Sequence, residues 1–176
     1  MLPPHWTWKS RDHITAVKLN SQVRDIHRWL ENPPLFQCIR TKAVNVSGST
    51  TLVPWNELSG NGFTPVTNSS GEITHVQPMH EGRYLVHVQM CGKQSGSPSH
   101  LYLTLHVNDE IAQVGVGTQE STGYMDSTRV TALLELRPTD RISTRVYISA
   151  GKTGYLTNTA EQQLASVFLG YWIGEI

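Results

Sequence analysis

The chain has 176 residues, enough for one domain with a sizeable core. Fourteen Lys and Arg balance fourteen Asp and Glu, and that neutrality excludes nucleic acid as a main partner, because phosphate binding needs a cationic excess. Only 16% of residues are charged while Gly, Ser, Thr and Asn are abundant, which fits a turn-rich β protein rather than a helical or disordered one.

The opening MLPPHWTWKSRDH has no apolar h-region, and no 18-residue apolar run follows, so the chain reads as a soluble protein made without export and without membrane contact. The first 33 residues stand apart from the rest. They hold Trp6, Trp8 and Trp29, three of the five tryptophans, and a net charge of +2 from five basic and three acidic residues. Ile14, Val17, Val23, Ile26 and Leu30 recur at spacings that fit one helical stripe, with Trp29 at its end. Thr15 and Asn20 are both suitable N-caps, and Pro33-Pro34 stop the helix near Asn32. One such helix cannot bury its stripe alone, so it docks either on the following domain or on another protein.

From Leu35 the period changes to two. GRYLVHVQMC puts Tyr84, Val86, Val88 and Met90 on one face, with Leu85, His87 and Gln89 on the other. HLYLTLHV aligns Leu101, Leu103, Leu105 and Val107, and Asn108-Asp109 is a hairpin turn into the next strand. RVTALLEL and RISTRVYIS are two more strands joined by the RPTDR turn. Between them lie two polar stretches. In Thr41 to Glu72, 18 of 32 residues are Ser, Thr, Asn or Gly, which predicts mostly loop with short strands such as Leu52 to Trp55. Thr118 to Ser127 reads as a polar loop. The sum is eight to ten strands, no second helix, and a sandwich or barrel.

The final strand, from Val167 to Ile173, has no polar face. One side therefore packs in the interior and the other lies against something apolar, either another copy or the N-terminal helix. Cys38 and Cys91 are too few for a zinc site and read as two buried thiols or one disulfide.

LFQCIRT from Leu35, GRYLVHV from Gly82, LYLTLHVND from Leu101, VTALLELRPTDRI from Val130 and SVFLGYWIG from Ser166 follow one another over about 140 residues. That order resembles the tumour-necrosis-factor-like jelly roll, more closely its complement-globular-head branch. Asp109 and Thr139 stand where that family has glycine. The resemblance implies an all-β jelly-roll sandwich at 34–176 that forms a compact homotrimer. It also implies that one sheet faces the three-fold axis, with Leu85, His87, Phe168 and Trp172 at the trimer interface.

Residues 1–33 carry a second resemblance. Asp12, Ile14-Thr15-Ala16, Leu19-Asn20, Val23-Arg24-Asp25, Leu30 and the Pro33-Pro34 pair resemble the N-terminal segment of minor tail and other virion proteins of bacteriophages infecting actinobacteria. This implies a virion protein, assembled in the host cytoplasm, whose helical segment binds other virion proteins through Ile14, Val17, Val23, Ile26, Trp29 and Leu30.

No chemistry of an enzyme is written in the motifs. G-x-S-x-G and H-E-x-x-H are missing, and GVGTQE at Gly115 has Glu120 where a dinucleotide fingerprint needs glycine. The expectation is no enzyme, no metal and no cofactor. The leading function is a homotrimeric minor tail or tail-tip protein that contacts a host cell-surface glycan. The alternatives are a capsid decoration protein and, from another class, a carbohydrate-processing enzyme on the same scaffold.

Overall fold

The computed structural model describes residues 15–20, 24, 27, 31–46, 48–94, 99–119, 125–149, 153–156 and 166–176. A helical turn, α1 (Ala16–Leu19), precedes thirteen strands among these residues. They are β1 (Leu35–Ile39), β2 (Val44–Val46), β3 (Thr51–Leu52), β4 (Glu57–Asn61), β5 (Phe63–Thr67), β6 (Ile73–Pro78), β7 (Gly82–Gln94), β8 (Ser99–Val107), β9 (Glu110–Gln119), β10 (Met125–Leu136), β11 (Ile142–Ile148), β12 (Gly154–Leu156) and β13 (Val167–Gly174).

Alternation of apolar and polar residues lets each strand bury one side, and the strands pair into two antiparallel sheets forming a jelly-roll sandwich. The first sheet runs β4-β1-β13-β7-β10, with β12 joining the far end of β7 and β2 pairing with β12. The second runs β5-β6-β11-β8-β9, with β3 against β11. Strand β7 is the hub, because it pairs with β10 along its whole length and with β13 and β12 on its other edge.

The core is aromatic at its centre. The Phe36 ring lies 4.6 Å from Phe63 and 4.7 Å from Phe168, with Trp55 5.6 Å from Phe168 and Tyr84 5.2 Å from Phe63. Polar atoms that these rings carry inward find partners. Trp55 Nε1 donates to Thr144 Oγ1 at 3.2 Å, and the Tyr84 hydroxyl donates to the His80 carbonyl at 2.8 Å. The fully buried Arg40 donates through Nε to the Lys42 carbonyl and through Nη1 to the Pro54 carbonyl, tying the β1–β2 and β3–β4 connections together.

Close packing explains two glycines. A Cβ on Gly170 of β13 would strike the ring of Phe36, its partner on the neighbouring strand β1, and one on Gly115 of β9 would strike the Arg129 carbonyl of β10, where the free edges of the two sheets meet. The β8–β9 hairpin turns through Asn108 and Asp109 at φ 53° and 68°, the two left-handed residues of a tight primed turn. At the β10–β11 turn the Asp140 carboxylate accepts from the Arg137 amide at 2.7 Å.

Some expectations need correction. The stretch Thr41 to Glu72 does combine loop with short strands, β2, β3, β4 and β5, which take up nearly half of it. These short strands keep many side chains at the surface, so Ser, Thr and Asn do not exclude strand there. The segment Leu52 to Trp55 is a strand only at Thr51–Leu52, after which Val53 and Trp55 plunge into the core. Thr118-Gln119 complete β9 and Met125 to Ser127 open β10, leaving 120–124 of the expected loop outside the described residues. Of the N-terminal stripe, Val17 is exposed, while Ile14, Val23, Ile26, Trp29 and Leu30 lie outside the described residues.

Cys38 and Cys91 are both buried thiols not joined to each other, which closes the disulfide alternative. Burial pushes the Cys38 thiol up to about 12 and the Tyr84 phenol up to about 12. Both folded values lie above the ordinary ones, so the stability they contribute is complete below about pH 9 and is lost as pH rises towards 12. The expected result at pH 8 is no reaction of a disulfide reagent with the native protein and reaction of two thiols per chain in denaturant.

Candidate self-association face

The side of the β1-β13-β7-β10 sheet that points away from the core is open, and the strand registers arrange its residues in rows. Leu35 pairs with Tyr171, Tyr171 with Leu85, and Leu85 with Leu133, so one apolar row crosses four neighbouring strands. The next row is Gln37, Leu169, His87 and Thr131, and the third is Ile39, Val167, Gln89 and Arg129. The first row is formed by aliphatic side chains and Tyr171, while the next two mix apolar and polar residues. Leu133 is 59% exposed and Tyr171 42%, so the row presents apolar surface to solvent.

The electrostatics of the face are mild. His87 Nδ1 and Thr131 Oγ1 share a hydrogen bond of 2.8 Å. Burial first, and the nearby Arg129 guanidinium second, hold His87 below the usual imidazole range, so it stands neutral at pH 7. Arg83 and Glu135 form an ion pair of 3.3 Å beside the apolar row, exposed enough to contribute little. Elsewhere, Asp109 is taken up by Arg145 and lies 3.9 Å from His75. Among the described residues, no three His, Cys, Asp or Glu side chains group as metal ligands.

Leu85 and His87 lie on this open face, as the sequence reading placed them, and Tyr84, Val86, Val88 and Met90 are buried behind it. Phe168 and Trp172 do not lie on it. Phe168 is fully buried in the aromatic core, and Trp172 packs on the core edge, its indole against Gly82. The outward positions of β13 are Leu169 and Tyr171, one residue from the expectation, because an apolar strand carries no polar residue to mark its phase. Gly170 was the available signal: it lies on the core side, where the Phe36 ring leaves no room for a side chain. Leu35 and Leu133 complete the row and were missed, since cross-strand neighbours are set by pairing partners far apart in sequence.

Fold and face together define a protein with the jelly roll of the tumour necrosis factors. The Eiger TNF of S. frugiperda is similar over 82% of this chain and 96% of its own, at 21% identity and a TM-score of 0.56. Murine APRIL is similar over 80% of this chain and 98% of its own, at 12% identity and a TM-score of 0.53. No family model and no curated protein sequence matches the chain.

Proposed function

We propose that this chain is a homotrimeric structural protein of a bacteriophage particle, a minor tail or tail-tip protein whose jelly roll contacts the host surface. The observation that carries the self-association is the Leu35-Tyr171-Leu85-Leu133 row on an otherwise complete fold. The trimeric number follows the family resemblance, and the location in the particle follows the resemblance of residues 1–33 to phage virion proteins. In this reading residues 1–33 hold the module on the particle, and the trimer offers every surface contact three times, so weak contacts to a repeated glycan gain by avidity. The role is binding and not catalysis.

The test is the solution mass of the full chain by light scattering after size exclusion, over a range of concentrations. A stable species near three times 19.7 kDa is expected, and a monomer at all concentrations overturns the reading. Removing residues 1–33 should abolish incorporation into particles while the truncated chain keeps its three-fold mass. Binding of the full chain to assembled tail-less shells would instead assign it to capsid decoration.

A further inference from the structure

The second sheet also has an outward side, and its character differs. Tyr102 of β8 pairs directly with Tyr147 of β11, their ring centroids 5.5 Å apart, and the His100 ring stands 6.1 Å from Tyr102 along the same strand. The core-facing neighbours Leu101, Leu103, Val146 and Ile148 are buried, so the two tyrosines point outward, half-buried by each other. Val116 of β9 lies opposite Tyr102 on the other edge and is 56% exposed, extending the row to three strands. Neither phenol hydroxyl has a hydrogen-bond partner among the described residues. Thr104 and Arg145 border the row on one side and Ser149 on the other. Arg145 is neutralised by Asp109, so the rim carries both signs of charge and no local excess.

We infer that the Tyr102-Tyr147 ladder, with His100 and Val116 at its ends, is a binding platform for a neutral oligosaccharide. Ring faces held in a row on a rigid sheet suit the apolar C–H faces of pyranose or furanose rings, and free hydroxyls beside them suit sugar hydroxyls. Two phenol hydroxyls and an imidazole in this row suit a hydroxyl-rich ligand better than a second copy, which the Leu35-Tyr171-Leu85-Leu133 row of the first sheet fits. The missing cationic excess disfavours an acidic polymer. The ligand class rests on the host-contact reading above, and the platform places that contact on the outward face of the second sheet.

The experiment uses the full chain and a panel of neutral gluco-, galacto-, arabino- and N-acetylglucosamine oligomers of two to six sugars, followed by tyrosine and tryptophan fluorescence and by calorimetry. At least one oligomer should bind. Tyr102→Ala with Tyr147→Ala should weaken that binding at least tenfold with unchanged solution mass and circular dichroism. Tyr102→Phe with Tyr147→Phe, which keeps the rings and removes the hydroxyls, should fall between. No binding by any oligomer at 10 mM, or equal binding by the Ala double variant, overturns the platform. If the Ala double variant fails to fold, Val116→Arg decides: it sets a long charged side chain against the row at an exposed position, and unchanged oligosaccharide binding there overturns the platform. A three-fold mass with no oligosaccharide binding would sink the platform and leave the trimer standing, whereas a monomer that still binds would do the reverse.

Discussion

Leu133→Arg is expected to leave the fold intact and raise the dissociation constant of self-association at least a hundredfold, about 3 kcal/mol. The position is 59% exposed in the single chain, so a charged side chain there is solvated and costs the monomer little. In the assembly the same guanidinium would sit at the end of the Leu35-Tyr171-Leu85-Leu133 row, taken out of water, with Glu135, the carboxylate two residues along the same strand face, already paired to Arg83. Arg129, four residues earlier on the same strand face, adds a second positive charge. Light scattering from micromolar to tens of micromolar reads the result directly. A mass equal to that of the unaltered chain throughout the range would show that the row is not the contact. Thr64→Arg, on exposed β5 at the far edge of the other sheet, is the matched control and should keep the full mass.

The parts of the fold that were legible in the sequence are those where a local rule dictates the outcome. Alternation over β7, β8, β10 and β11 separates core from surface because one face of each strand meets the other sheet. Asn108-Asp109 encodes its turn because few residues tolerate left-handed backbone twice in succession. What local pattern leaves open is decided by partners distant in sequence. The strands between Thr41 and Glu72 form because β1 and β6 offer them edges: Gln37 pairs with Ser59 and Val76 with Pro65, and no local apolar pattern announces it. Arg40 reads as a surface cation in any window, yet it is fully buried because the carbonyls of Lys42 and Pro54 converge on its guanidinium. The open face was half legible: Leu85 and His87 followed from the alternation of β7, whereas β13 is apolar on both sides and gave its phase away only through Gly170.

That phase is open to direct measurement. Phe168→Ala should cost roughly 3–5 kcal/mol of folding stability, because the ring is fully buried between Phe36 and Trp55. For a chain of this length that is a fall in melting temperature of about 10 °C or more. Tyr171→Ala removes a ring of similar size three residues further along the same strand, at a position 42% exposed. Its cost to the isolated chain should stay near 1 kcal/mol, while its effect on self-association should be the larger of the two. Chemical denaturation under dissociating dilution isolates the folding term, and scattering at higher concentration isolates the assembly term. Phe168→Leu, which keeps most of the apolar volume, should recover more than half of the lost stability. Had β13 taken the opposite register, the two substitutions would exchange their effects: Phe168→Ala would loosen the assembly with little change in melting, and Tyr171→Ala would melt early. A result of that kind would overturn both the core assignment and the open face built on Leu169 and Tyr171.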